Sequence, residues 1–236
     1  MEENFWWVIF PYISGTILVL GSIYRFVFRR MSWYAPSTEI FEKKWLRFGS
    51  VSFHFGIFFA LVGHVMGVLI PKGVYDALGV ADHKYHFFAI IGGGFAGLMV
   101  LFGLFVMIIR KIAFSKVRVH TTSGDYFVIV MLIIIAGLGT YMTLIYNTTV
   151  VAYEYRTSIG PWFRSLFTLH PRYDLMLTVP LIFKIHVILS FFLFMIIPFT
   201  QLIHMFSFPG RYPARAPQQY RSRNEYKKAN NKNSIK

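Results

Sequence analysis

Four of the eight histidines fall inside long apolar stretches of the sequence, where ionisable side chains are rare and usually functional. His54 and His64 lie ten residues apart in one stretch, and His186 and His204 lie eighteen residues apart in another. Eighteen residues make about five turns of α-helix, so His186 and His204 are predicted to project from one face of a single helix. Imidazoles that face each other across a helical bundle are common axial ligands of haem iron.

The elements that must position these histidines are transmembrane helices. A helix needs about 20 apolar residues to cross a membrane, and five stretches of the chain meet this requirement. We predict an all-α integral membrane protein, a five-helix bundle with helices at roughly 5–28, 50–70, 87–109, 126–146 and 179–206. Pro71 is expected to end the second helix, and Pro198 predicts a kink inside the fifth. The helices make up a domain of residues 1–208, and residues 209–236 form a polar, basic tail.

Lysine and arginine are distributed unevenly between the connections. The connections after the first and third helices carry six and four of them and the tail carries eight, against two and three in the remaining connections. Because basic residues accumulate on the cytoplasmic side, the N-terminus is predicted outside and the tail in the cytoplasm. This distribution also accounts for the net charge of +14 without a nucleic-acid partner.

Opposite helix directions allow only one pairing of the histidines by depth. The second helix runs outward and the fifth runs inward, so His54 pairs with His204 near the cytoplasmic face, and His64 pairs with His186 near the outer face. Each pair is predicted to hold one haem iron. The other reading is that all four are core histidines bonded to neighbouring helices. Gly56, Gly63 and Gly67 would give a porphyrin clearance, or they would serve close helix packing.

Cysteine is absent from the chain, and this excludes several kinds of redox site. The chain has no thiolate ligand for an iron–sulfur cluster and no site for covalent haem attachment. Any haem is therefore held by axial ligands and packing, as a b-type haem.

These segments resemble a known family. The runs HFGIFFALVGH (54–64), KIH (184–186) and QLIH (201–204), with the histidine spacings and five helices, are similar to the membrane cytochrome b (gamma) subunit of bacterial respiratory nitrate reductase. The resemblance covers essentially the whole chain. It implies two haem b, with His54 and His204 on the inner haem and His64 and His186 on the outer haem.

The resemblance also implies an electron-transfer function in the bacterial cytoplasmic membrane. Quinol, either menaquinol or ubiquinol, would be oxidised near the outer haem. The electrons would pass through both haems to an iron–sulfur (beta) subunit and then to a molybdenum-containing (alpha) subunit that reduces nitrate. The family's quinol site implies roles here for Lys84, Gly63 and His64. Lys84 would hydrogen-bond a quinone oxygen, or it would simply extend to the membrane interface. His83 and His86, beside Lys84, are bystander candidates for proton release.

Two other functions compete with this one. Related membrane cytochromes serve sulfite- or heterodisulfide-type reductases, and the chain alone does not separate them because a partner fixes the terminal acceptor. A haem-free transporter with a histidine relay would be expected to carry acidic residues inside its helices, which the five predicted helices lack.

Three other features remain expectations. Gly92, Gly94 and Gly97 match a dinucleotide-binding pattern, but no strand precedes them and they lie in an apolar helix. Gly93 and Gly97 instead indicate close helix packing or haem clearance. The connection from Tyr153 to Thr178 is expected to cover the outer haem. The tail is either a flexible arm on anionic lipid or a docking arm for the soluble subunits.

Overall fold

Helices make up all the regular secondary structure in the described part of the chain. The structure, a computed structural model, describes residues 2–29, 32–150 and 153–207. Five helices within these ranges are long and apolar enough to cross a membrane: α1 (Phe5–Phe28), α2 (Lys44–Leu69), α3 (Asp82–Ala113), α4 (Ser123–Val150) and α5 (Leu181–Phe199). The predicted fold class, a five-helix membrane protein, is confirmed.

Polar caps extend two helices beyond their apolar stretches. The Glu42 carboxylate accepts the backbone N–H groups of Trp45 and Leu46, so α2 begins at Lys44 rather than near residue 50. At the start of α4, Thr122 and Asp125 form a reciprocal capping box. Such caps satisfy N–H groups that would otherwise lack partners, which hydropathy alone does not reveal.

The C-terminal end of the fifth helix differs from the prediction. The α-helical part covers Leu181–Ile196 and is followed by a 3₁₀ turn at Ile197–Phe199, an extended residue at Thr200 and a second 3₁₀ segment at Gln201–Phe206. The prediction of one kinked helix through residue 206 is therefore wrong. Pro198 has no N–H to donate, and its ring clashes with the carbonyl of the preceding turn, so the helix ends there.

The long helices pack in the order α2, α3, α4, α5, α1, and the most extensive of these interfaces is that between α2 and α3. Small residues allow the close approach, as is common in membranes. A Cβ at Gly103 would lie 2.6 Å from the Gly49 carbonyl oxygen, and one at Gly56 would lie 2.7 Å from the Val100 nitrogen. In the described chain, α2 and α5 share no comparably extensive interface.

The glycine-rich run of α3 also serves helix packing. Gly92, Gly94 and Gly97 all lie inside this helix. A Cβ at Gly94 would clash with Leu144, and one at Gly97 would clash with Thr140. Gly94 and Gly97 therefore allow α3 to approach α4 closely. The run lies within a helix and forms no phosphate-binding loop.

The connection between α4 and α5 contains the short helices Tyr155–Thr157, Ile159–Phe167 and Asp174–Leu177. The Trp162 indole N–H donates to the Trp7 carbonyl at 2.9 Å, and Arg164 donates to the Val68 carbonyl at 2.6 Å. This connection is therefore tied to α1 and to the end of α2 beyond His64.

The chain divides into a compact unit, Met1–His204, and a C-terminal unit, Met205–Lys236. The contacts of the four paired histidines and of Lys84, Arg25 and Arg156 all lie in the first unit. The predicted basic tail, residues 209–236, lies outside the described residues.

Candidate haem-binding site

The two predicted histidine pairs face each other between α2 and the C-terminal part of the fold. The ring centres of His54 and His204 are 6.1 Å apart, with planes inclined by 61°. Those of His64 and His186 are 6.3 Å apart, with planes inclined by 15°. The structure thus brings together the same partners that depth matching selects, although α2 and α5 share no extensive interface.

Hydrogen bonds orient three of the four rings. The Nδ1 atom of His54 lies 2.7 Å from the Ser50 carbonyl oxygen, that of His64 lies 2.7 Å from the Ala60 oxygen, and that of His204 lies 2.6 Å from the Gln201 oxygen. A carbonyl only accepts, so Nδ1 carries the proton and the lone pair of the neutral ring is on Nε2. In the described chain, the Nε2 atoms of His54, His64 and His204 make no hydrogen bond.

These pairs fit the axial sites of a haem. Metal–imidazole bonds are about 2 Å long, so two imidazoles on opposite sides of one metal ion have ring centres roughly 6 Å apart. Each pair supplies two ligands, the number that an iron in a porphyrin leaves open. In the described ranges, no group of three or more histidine and acidic side chains is arranged to hold a bare metal ion.

The His186 ring is packed against α4. Its Nδ1 atom is buried and makes no hydrogen bond in the described chain. The ring lies on the backbone of α4, where a Cβ at Gly139 would be 3.2 Å from the His186 Cε1 atom. Sequence reasoning missed Gly139, because glycine is common in membrane helices and only the tertiary contact distinguishes it.

The broken helix changes how His204 is placed. Five turns of continuous helix between His186 and His204 were expected to put both on one face, and that argument is wrong because the helix ends at Ile196. His204 instead lies in the 3₁₀ segment Gln201–Phe206. His54 and His64 are ten residues apart, whereas His186 and His204 are eighteen apart. The break after Ile196 accommodates this difference.

The three glycines of α2 near the histidines have different environments. Gly56 packs on α3, and a Cβ at Gly67 would lie 2.7 Å from the Tyr155 ring. Both therefore serve packing rather than porphyrin clearance. Gly63 lies next to His64, and a Cβ at this position would meet no atom within 4 Å, so Gly63 faces open space.

The predicted quinol-site residues lie at neighbouring helix ends. Lys84 is exposed in the first turn of α3, and within the described residues its ammonium makes no ion pair. Its neighbour Tyr85 packs against Gly67, where a Cβ would lie 3.1 Å from the tyrosine oxygen. Gly67 is one turn from His64, so the start of α3 adjoins the His64 end of α2.

A buried arginine organises the surroundings of that end. Arg156 is fully buried and its guanidinium donates to Glu154 at 2.6 and 2.7 Å and to Asp82 at 2.8 Å. Its Cζ atom lies 3.8 Å from the centre of the Tyr85 ring. The His86 Nε2 atom is 3.1 Å from Glu154. Sequence reasoning missed this network, because its members are far apart in the chain.

Charge pairing shifts the pKa values in this network. Burial alone would raise the pKa of Glu154, but its hydrogen bonds with Arg156 lower it below its ordinary value. The hydrogen bonds to Glu154 raise the pKa of Arg156. Both groups are therefore charged at neutral pH, and the network links the connection before α5 to the start of α3.

Comparison with known proteins identifies relatives over nearly the full length. A family model described as nitrate reductase gamma subunit matches residues 3–223. The chain is 39% identical over 223 residues to the nitrate reductase gamma chain of Bacillus subtilis, covering 94% of this chain and 100% of that protein. It is 31% identical to the respiratory nitrate reductase 1 gamma chain of Escherichia coli, covering 93% and 97%. The nitrate reductase-like protein NarX of Mycobacterium tuberculosis is 39% identical, covering 95% of this chain and 34% of that protein.

Proposed function

The chain belongs to the nitrate reductase gamma subunit family, and from this premise we propose that it is the quinol-oxidising dihaem cytochrome b subunit of a membrane-bound nitrate reductase. It is a multi-pass membrane protein and a subunit of an oxidoreductase complex. The observation that carries the finer proposal is the pair of imidazole–imidazole separations, 6.1 and 6.3 Å.

In this proposal the four histidines are the residues that would hold the two haems. His54 and His204 hold the inner haem, and His64 and His186 hold the outer haem. When bound, the haems supply one-electron carriers at two depths of the membrane. The Nδ1 hydrogen bonds keep His54, His64 and His204 in the tautomer that leaves Nε2 free for iron.

Quinol oxidation is proposed at the His64 end of α2. Each quinol gives up two electrons and two protons, so the site needs groups that bind its oxygens and accept protons. The unpaired Lys84 ammonium donates to one quinol oxygen, and the open space at Gly63 admits the ring beside His64. The protons leave on the side where the N-terminus is predicted, which is the outside of a bacterial cytoplasmic membrane.

The electrons leave on the opposite side. There the proposed partners are an iron–sulfur subunit and a molybdenum-containing catalytic subunit that faces the cytoplasm and reduces nitrate. The relatives of 39% and 31% identity are named nitrate reductase gamma chains, which supports nitrate reductase over a sulfite- or heterodisulfide-type complex.

The test is a haem count on purified protein with one histidine changed at a time. We expect two b haems per chain in the wild type by pyridine haemochrome, and one in each of His54→Ala and His64→Ala. His170→Ala is the matched control, because this exposed histidine lies in a connection and bonds only to a local carbonyl. A haem count that the histidine variants leave unchanged would contradict the proposal.

A further inference from the structure

The segment that carries His204 begins at a break in the chain that leaves backbone carbonyls without helical partners. The helix ends at Ile196, and Thr200 is extended, with φ −120° and ψ 178°. The last carbonyls of any helix lack intrahelical N–H partners and need another donor. The geometry of the following turn therefore depends on whatever donates to these carbonyls.

One side chain of α1 supplies the donors. The Nη1 atom of Arg25 donates to the Pro198 carbonyl at 2.8 Å and to the Thr200 carbonyl at 2.7 Å. Its Nε and Nη2 atoms donate to the hydroxyl and the carbonyl of Ser32, just after the end of α1. The planar guanidinium thus bridges two segments, which a single lysine ammonium cannot reproduce with the same geometry.

The same face of α1 is fixed against α5 at two further positions. Ser14 donates its hydroxyl to the Phe191 carbonyl. At Gly21 a Cβ would lie 2.8 Å from the Pro198 Cβ atom. Positions 14, 21 and 25 lie on one side of a helix, so Arg25 is held in register with the break by its own helix.

From these contacts we propose that Arg25 is a positioning residue for His204, the inner haem ligand. The inference rests on the proposed dihaem function. Arg25 fixes the Thr200 carbonyl, and the Thr200 hydroxyl accepts the Leu202 N–H at 3.3 Å. The Gln201 carbonyl then accepts the Nδ1–H of His204 at 2.6 Å. A short series of backbone contacts thereby sets the direction of the His204 ring toward His54.

A simpler role for Arg25 is to supply positive charge at the cytoplasmic end of α1. Arg29, one turn further on, provides the comparison, because its side chain is exposed and makes no hydrogen bond in the described chain. If charge were the whole role of Arg25, neutralising either arginine would have the same effect.

The experiment uses the complete complex in membranes, with the variants Arg25→Gln, Arg25→Lys and Arg29→Gln. Haem content, the midpoint potential of each haem and the low-spin ferric electron paramagnetic resonance signals are measured. The signal that His54→Ala removes identifies the inner haem, and the signal that His64→Ala removes identifies the outer one.

We expect Arg25→Gln to shift the signal and the potential of the inner haem, or to lower the haem count from two to one, while the outer haem is unchanged. Arg25→Lys keeps the charge and is expected to shift the inner haem in the same direction, and Arg29→Gln to shift neither. If the Arg25→Gln protein does not accumulate in the membrane, the inner-haem signal, its potential and the haem count of Arg25→Lys test the inference instead.

Two results would overturn the inference: Arg25 variants that leave the inner haem unchanged, or variants that shift both haems equally. Failure of the proposed function looks different. In that case the wild-type complex itself would not show two haem signals, and the inference about Arg25 would be wrong as well.

Discussion

Three of the four paired histidines hydrogen-bond a carbonyl of their own segment, whereas His186 depends on contact with Gly139. Residue type and depth predicted which histidines pair. The ring angles of 61° and 15° could not be predicted, because they follow from side-chain rotamers that only the packed structure fixes. Gly139 and Arg25 escaped sequence reasoning for the same reason.

The contact between Gly139 and His186 gives a prediction with a control on the same helix. A Cβ at Gly139 would be 3.2 Å from the imidazole, whereas one at Gly137 would meet nothing within 4 Å. Under the proposed dihaem function, we expect Gly139→Ala to shift the midpoint potential of the His64–His186 haem or to lower the haem count from two to one. Gly137→Ala is expected to change neither. Equal behaviour of the two variants in a redox titration would argue against this role.

Under the proposed quinol oxidation, Lys84 gives a kinetic prediction. A hydrogen bond to a charged group contributes about 1.5–3 kcal/mol, so losing it from the transition state lowers kcat/KM for quinol by roughly ten- to a hundredfold. Lys84→Ala should show this decrease in quinol oxidation while retaining both haems. Lys116→Ala, which removes a charge from the predicted cytoplasmic connection, is the control. Normal quinol kinetics in Lys84→Ala would remove this residue from the site.

At the scale of the elements, hydropathy predicted five helices but not their ends. Glu42 and Thr122 extend α2 and α4 with polar caps, and Pro198 ends a helix within an apolar sequence that predicted its continuation. Glycine in a membrane sequence indicates close packing in general. Which glycine meets which helix, such as Gly103 against Gly49, depends on the packing order of the bundle.

The α2–α3 interface is expected to be sensitive to added volume. A Cβ at Gly103 would meet backbone atoms of α2 at 2.6 Å, and backbone cannot move aside without separating the helices. Overpacking typically costs about 1–3 kcal/mol, so Gly103→Val should lower the thermal midpoint in detergent. Gly92→Ala on the same helix, where a Cβ meets nothing within 4 Å, should leave it unchanged. If Gly103→Val melted at the same temperature as Gly92→Ala, the α2–α3 interface would have room for the larger side chain, and the close contact at Gly103 would be wrong.

The Arg156 network gives a pH-dependent stability. The pKa of Glu154 is lower in the folded protein than its ordinary value, so the unfolded state binds more protons in the acid range. The stabilisation is therefore present above the ordinary pKa of glutamate, about 4.3, and is lost as pH falls through the folded pKa. Glu154→Gln should melt at a lower temperature than the wild type at neutral pH.

The difference between the two melting temperatures should shrink on acidification, as Glu154 of the wild type becomes protonated. Arg156 and His86 pair with this carboxylate, Asp82 pairs with Arg156, and all three remain in both proteins. A difference that is constant from neutral to acid pH would contradict an electrostatic origin.

At the scale of the whole molecule, the distribution of basic residues predicts the orientation in the membrane. The chain has no cysteine, so single introduced cysteines report sidedness without background. Leu169 is 75% exposed and Ile40 is 94% exposed, in connections predicted on opposite sides. A membrane-impermeant maleimide should label Leu169→Cys in intact cells and Ile40→Cys only after lysis. The reverse pattern would invert the topology and move the proposed quinol site to the cytoplasmic side.

The weak contact between α2 and α5 has a consequence for biosynthesis. The glycine-lined interfaces among α2, α3 and α4, and the contact of α5 with α1, form without an extensive interface between α2 and α5. The polypeptide can therefore be inserted and largely assembled while the space between α2 and α5 is still accessible. Under the proposed function, cofactor loading is then a late maturation step that is separable in time from membrane insertion.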